Sequence, residues 1–265
     1  MIIIGEKINA TRKSIAAALE AHDSAHIVKI AVQQAEAGAD YIDVNGGDPR
    51  EGREARNMAW LIEHVQAGTD LPVAVDSADP EAVRTGLSMA RKKPIINSIS
   101  LEAHRLAPML PLAAEHDCMV VALLMSDGGT PCGVDDRLKI AAELIGKITG
   151  AGKKIDEIII DPCFLPISAD PMSGRRVIEA IAAIRREWPE VHVGGGCSNI
   201  SYGLPKRKYV NSALLCQAIF HGMDVGIIDP CLPGIMACIY AAEAVAGQDE
   251  FCMNYVTAER KGRLP

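Results

Sequence analysis

The chain has 265 residues, a formal net charge of −7, and a composition that is 49% hydrophobic but only 4% aromatic, so its core must be aliphatic. The negative balance excludes a nucleic-acid backbone or an anionic membrane surface as the main partner. No apolar run approaches the roughly 20 residues that span a bilayer. The opening MIIIGEKINA lacks the layout of a signal peptide and reads as a strand. Eight cysteines, none in a Cys-x-x-Cys pair, fit reduced thiols in a cytoplasmic protein.

In chain order, short β-branched runs alternate with longer helical stretches. IIIG (2–5) is the first strand. The helical run 25–39 follows, with Gly38 as its stop, and then the strand YIDV (41–44). Helix 57–68 ends at Gly68, ahead of the strand PVAVD (72–76). Asp79-Pro80 opens a helix over 79–90, an N-cap followed by proline at the first helical position. Strand PIINS (94–98), helix 104–116, strand MVVALLM (119–125) and helix 135–152 come next. Strand EIIID (157–161), helix 173–188, strand VHVGG (191–195), helix 211–223, strand VGIID (225–229) and helix 232–247 complete the series.

Several of these strands are apolar throughout, as parallel strands covered on both faces must be. Eightfold β-α alternation at this length predicts an α/β fold, a (β/α)8 TIM barrel forming a single domain over 1–265. An open doubly wound sheet is the alternative arrangement. The end of the chain, with ERKGRLP, reads as a tail or small cap.

In a barrel the site is built at the C-terminal ends of the strands. Those ends carry Glu6 and Asn9, Asp43 with Asn45-Gly46-Gly47, Asp76-Ser77, Asn97-Ser98, Asp161-Pro162, Ser198-Asn199 and Asp229-Pro230. Each alone is a common strand terminator or helix cap. Together they put several carboxylates at one mouth with few bases to neutralise them, and such groups repel one another. A hard cation such as Mg²⁺ would relieve them. So would a flat neutral ligand rich in N–H donors. A pterin has those donors and also offers ring acceptors to asparagine amides. Gly194-Gly195-Gly196 then reads as a surface over which such a ring lies, because a Cβ would intrude. The histidines fall mostly in helices or within a strand and read as surface or packing residues.

The segments IGEKINATR, YIDVNGG, LPVAVDS, PIINSIS, EIIIDPCFLPIS and GGGCSNISYGLPKR occur in this order between residues 4 and 207. As an ordered set they resemble the pterin-binding methyltransferases, namely the methyltetrahydrofolate:corrinoid protein methyltransferases and the folate module of cobalamin-dependent methionine synthase. The resemblance implies that a methyl group moves between N5 of tetrahydrofolate and the cobalt of a corrinoid held by a separate protein. The start MIIIGEKINATRKS leans toward the branch in which methyl groups flow from corrinoid to tetrahydrofolate.

It further implies that Asp76, Asn97 and Asp161 bind the pterin ring, with Asp161 on the amino-pyrimidine edge. Asn199, beside Ser198, becomes the catalytic residue near N5, and Asp43 and Asn45 form a polar pair near the barrel floor. By their position after the Asn199 loop, Lys206, Arg207 and Lys208 read as contacts for the folate tail or the partner, or as a solvated basic turn. The family is commonly homodimeric, and no metal is expected on this chain. No Asp-x-His-x-x-Gly segment is present to hold a corrinoid internally.

Two departures from the family pattern, Tyr202 and Gly196-Cys197, concern the partner more than the folate. Two other readings use the same residues. Cys163, Cys197 and Cys231 follow strands six to eight and could bind Zn²⁺ in a thiol methyltransferase. A non-catalytic folate-binding module would need the same ring contacts without the chemistry. Dihydropteroate synthase would require a lysine-rich loop and a C-terminal Arg-x-His, both absent.

Overall fold

Each of the eight aliphatic runs folds as a strand. The computed structural model describes residues 1–48, 50 and 52–264. The strands are β1 (Ile2–Asn9), β2 (Tyr41–Asn45), β3 (Val73–Asp76), β4 (Ile95–Ile99), β5 (Met119–Leu123), β6 (Ile158–Asp161), β7 (His192–Gly195) and β8 (Val225–Ile228). All pair in parallel in sequential order, and β1 closes on β8 with Ile2 opposite Val225 and Ile4 opposite Ile227. The open-sheet alternative is thereby excluded. Parallel neighbours need a crossover, and helices supply each one. They are α1 (Lys13–Ala21), α2 (Ser24–Ala37), α3 (Arg53–Gly68), α4 (Pro80–Met89), α5 (Ala103–Glu115), α6 (Val134–Gly150), α7 (Ser173–Glu187), α8 (Lys208–Phe220), α9 (Ile235–Val245) and α10 (Met253–Arg260).

Local signals fix several boundaries. Asp79 caps α4 by accepting from Glu81 N, with Pro80 in the first turn. Gly38 ends α2 at φ 105°, a left-handed conformation that glycine adopts at no steric cost. Two helices add to the sequence reading. The first crossover carries an extra helix, α1, whose N-cap position is Arg12 with no side-chain capping bond. The end of the chain, read as a tail or small cap, forms a helix, α10, packed on α9.

Two apolar layers hold the barrel. The larger lies between sheet and helices and includes Ile42, Val44, Val75, Ile96, Val120, Ile158 and Ile160. The smaller fills the barrel interior with Ile4, Ala74, Ile95, Met119, Val121, Ile159, Val225 and Ile227. Burying each large aliphatic side chain contributes about 1.5–3 kcal/mol.

Successive strand residues face opposite sides. The positions two residues beyond the interior plug therefore point inward at the barrel mouth. On β1, β3, β4, β5 and β6 these are Glu6, Asp76, Asn97, Leu123 and Asp161. On β2 the inward set is Tyr41, Asp43 and Asn45. The inward column thus changes from aliphatic to mainly polar toward the mouth, with Leu123 the aliphatic exception.

Closure at β7–β8 depends on Gly194, because a Cβ there would lie 1.7 Å from the Val225 carbonyl oxygen. Gly194→Ala should therefore lower the unfolding free energy by on the order of 3 kcal/mol, read as a shifted urea midpoint.

Candidate active site

A cavity of about 570 Å³ opens at the C-terminal ends of the strands. Asp43, Asp76, Asn97, Asp161, Ser198, Asn199 and Arg207 all line it, as do Glu6, Arg12 and Tyr202. Leu123 and Ile227 supply apolar surface among these polar groups. Asn45 does not line the cavity. Its Nδ2 donates to Asp76 Oδ2 at 2.9 Å, while its Oδ1 accepts from Gly47 N. It holds Asp76 in place from behind. On the neighbouring strands, Asn97 Nδ2 donates to Asp43 Oδ1 at 3.1 Å. Lys206 lines an adjoining cavity, together with Arg207, Arg12 and Ser198.

Asp161 is the most tightly fixed of the carboxylates. Its Oδ1 accepts from Cys163 N at 2.8 Å and its Oδ2 from Gly196 N at 3.1 Å. Both oxygens keep a lone pair for a ligand, so the group can accept two parallel N–H bonds. The loop behind it is secured by the buried Arg137. That guanidinium donates to the carbonyls of Pro162 (2.6 Å), Gly133 (3.2 Å) and Cys163 (3.4 Å).

Burial dominates the electrostatics here. It raises the pKa of Asp161 to about 6, against the lowering effect of two backbone N–H donors and Arg137. Burial, reinforced by the nearby Asp76, pushes Asp43 well above the usual carboxylate range. Asp76 is raised by burial, which outweighs its bond from Asn45. Glu6 is raised by burial although Arg12 stands 3.2 Å away and Ser198 Oγ donates to it at 3.1 Å. Asp43, Asp76 and Asp161 are thus eased by amides and backbone N–H groups more than by cations.

The mouth is more basic than the strand ends alone suggest. Arg12 enters from the start of α1, the helix missing from the sequence reading, and pairs with Glu6. Arg207 donates to Ser198 O at 2.5 Å and to Ser201 Oγ at 2.9 Å, bracing the turn that carries Asn199. Asn199 lies exposed in that 3-10 turn (Cys197–Ser201), and its side chain makes no hydrogen bond among the described residues. Ser77 serves structure: its hydroxyl bonds Glu54 and accepts from Asp79 N at 2.9 Å.

The three glycines have separate reasons, and a ring lying across them is not the main one. Gly194 is needed against β8. At Gly195 a Cβ would sit 1.9 Å from Asp161 Oδ2, so this glycine makes room for the carboxylate. At Gly196 a Cβ would meet the Asn199 amide at 2.9 Å, and this glycine alone of the three lines the cavity.

The thiols do not converge on the cavity. Cys197 is fully buried and its Sγ contacts Gly195 O and Met223 Sδ. Burial raises the Cys163 thiol to about 11 and pushes Cys197 higher still, away from the thiolate a metal requires. Among the described residues, no three His, Cys, Asp or Glu side chains are grouped to hold a metal ion. The zinc reading therefore lacks its ligand set.

A closed eight-stranded barrel is also what comparison with known proteins returns. The chain belongs to the pterin-binding enzyme family, whose model matches residues 5–229. Over 266 aligned residues it is 34% identical to the methylcorrinoid:tetrahydrofolate methyltransferase of Eubacterium limosum, covering 100% of this chain and 98% of that protein. It is 31% identical over 242 residues to the methionine synthase of Mycobacterium tuberculosis, covering 86% of this chain but only 20% of that longer protein. Among solved structures, dihydropteroate synthase from Xanthomonas albilineans superposes with a TM-score of 0.71 at 21% identity, covering 92% of each chain. The Coxiella burnetii dihydropteroate synthase gives 0.73 at 16% identity, covering 93% of each. At those identities the likeness is one of fold.

The Gly195–Asp161 contact gives a direct test. Gly195→Ala should displace the carboxylate and weaken binding of a reduced pterin by about 100-fold, on the order of losing the charge-assisted hydrogen bonds. Calorimetric titration, with circular dichroism as the check on folding, would measure it.

Proposed function

We propose that this chain transfers a methyl group between N5 of tetrahydrofolate and the cobalt of a corrinoid carried by a separate protein, with the methylcorrinoid as donor and tetrahydrofolate as acceptor. The observation that carries the reading is the single cavity in which Asp43, Asp76, Asn97, Asp161, Ser198 and Asn199 meet beneath an open mouth. The full-length likeness to a methylcorrinoid:tetrahydrofolate methyltransferase supports the reaction and its direction.

The residues divide the work by chemistry. Ionised Asp161 accepts the paired N–H groups of the amino-pyrimidine edge. Asp76 and Asn97 address the other polar ring positions, held by Asn45 and Asp43 respectively. Leu123 and Ile227 exclude water from parts of the ring. Asn199, whose side chain makes no hydrogen bond among the described residues, hydrogen-bonds N5 and aims its lone pair outward. The corrinoid supplies the methyl carbon and keeps the electron pair of the carbon–metal bond. As N5 gains the carbon–nitrogen bond it becomes cationic, and its proton leaves to solvent at the rim. A preorganised amide oxygen that favours this charge lowers the barrier. A carrier without chemistry would need the same ring contacts, but no exposed group at N5.

Asn199→Ala should reduce the rate of methyl transfer at saturating tetrahydrofolate on the order of 100-fold with little change in KM. The cobalt absorption bands report the reaction. A near-wild-type rate would remove Asn199 from the transition state.

The second test uses pH. The ionised form of Asp161 binds the ring edge, and its pKa in the ligand-free protein is about 6. Affinity for tetrahydrofolate should therefore fall by up to about tenfold per unit as pH drops below that value, and Asp161→Asn should abolish this limb. Stability without ligand has the opposite sign. Between the ordinary 3.8 and about 6 the native state binds more protons than the unfolded chain, so stability declines as pH rises through that window.

A further inference from the structure

The sequence holds eight cysteines, and among the described residues one pair of thiols is in contact. Cys216 lies on α8 and Cys238 on α9, 22 positions apart in the chain, with their sulfurs 3.2 Å from each other. Spacing along the sequence gives no hint of this pair; the packing of α8 on α9 makes it. The two thiols differ in their surroundings. Cys216 is exposed. Cys238 is half-buried, its Sγ also faces the Ser212 carbonyl oxygen at 3.5 Å, and burial together with Cys216 raises its pKa to about 11. A thiol that meets solvent thus stands against one that solvent reaches poorly. The other thiols lack such a neighbour among the described residues. Cys118, Cys163 and Cys197 are buried, Cys231 sits beside Asp229, and Cys132 and Cys252 are exposed.

We propose that Cys216 and Cys238 form a dithiol modification site that reacts with small-molecule disulfides of the glutathione class and closes reversibly into a cross-link between α8 and α9, locking β8 in place. The site lies outside the cavity at the barrel mouth and does not rest on the methyl transfer proposed above. A disulfide needs roughly 2.05 Å between its sulfurs, so the two side chains have to close by only about an ångström. The order of attack follows from exposure. Cys216, as its thiolate, attacks one sulfur of the reagent and forms a mixed disulfide, while the reagent's other half leaves as a thiolate. Cys238 then gives its proton to solvent and attacks Cys216 Sγ, which expels the second half. Two protein thiols are oxidised to one disulfide, and one reagent disulfide is reduced to two thiols. A reducing compartment keeps such a pair as thiols and makes its disulfide transient. The bond encloses β8, the strand that closes the barrel on β1, within a loop running from α8 to α9. It also holds the helix that begins beside Arg207, whose guanidinium braces the turn carrying Asn199. Closing that loop removes freedom from the unfolded chain and so favours the native state.

The test treats the full chain with oxidised glutathione and maps every cysteine by peptide mass spectrometry without reduction. The wild type should yield a Cys216–Cys238 cross-linked peptide that dithiothreitol reverses. Its urea midpoint should rise by about 1 M on oxidation and return on reduction. Cys238→Ser should stop at a glutathione adduct on Cys216, with no cross-link and no rise. Cys216→Ser should leave Cys238 largely unmodified. Circular dichroism checks that each variant folds; where one does not, the wild-type peptide map and midpoint decide alone. A wild type that retains glutathione on Cys216, pairs either cysteine with another thiol, or joins two chains through a disulfide would overturn the site. A cross-link that leaves the urea midpoint unchanged would overturn the locking of β8.

Discussion

A strand offers only every second residue to one side of its sheet, and in a closed barrel that side is the interior. The same inward column must therefore fill the barrel and furnish its mouth. Here it does both through one change of composition. Ile4, Ala74, Ile95, Met119, Val121 and Ile159 close the interior, and Glu6, Asp76, Asn97 and Asp161 stand on top of them in register. The polar set inherits its rigidity from the plug below. A one-residue slip in any strand would exchange a recognition group for an outward aliphatic.

That position has a thermodynamic consequence. Asp43 and Asp161 are buried, and Asp76 lies close to Asp43, yet none of the three has a salt bridge among the described residues. Burial disfavours their ionised state in the empty site, and a ligand with N–H donors would favour it. The compensation is local. Amides from Asn45 and Asn97, and backbone N–H groups from Cys163 and Gly196, satisfy the carboxylates without cancelling their charge. Lysines or arginines in those places would have stabilised the empty protein and removed its reason to bind a donor-rich ring.

The strands and their polar ends were legible in the sequence because β-branched runs and strand periodicity are local signals. The eight strands fall where those signals put them, with small differences in length. β1 runs on to Asn9, and β5 stops at Leu123. Helix α1 was not legible. Its nine residues are short, Arg12 is a poor N-cap, and no capping bond marks its start. With α1 went Arg12, and so the partial neutralisation of Glu6. The triple glycine reads as a platform for a ring, but Gly194 and Gly195 each answer to a neighbour within the fold, and only Gly196 lines the cavity. Proximity between Gly195 and the Asp161 carboxylate is a contact across strands, and no pattern within one segment reveals it. Nor could spacing show that Cys197 turns toward Met223 instead of the mouth.

The crossed pairs on β2, β3 and β4 also bear on how this surface can change over evolutionary time. Asn45 on β2 grips Asp76 on β3, and Asp43 on β2 is gripped by Asn97 on β4. Replacing any one of the four strands its mate, so altered ring preference along this side would have to arrive by simultaneous double replacement, a rare event. The 3-10 turn after β7 has no such lock at Asn199 or Tyr202, whose side chains bond nothing within the chain among the described residues. Divergence between relatives should collect on that turn, leaving the paired side chains of the strands old and the turn beside them recent.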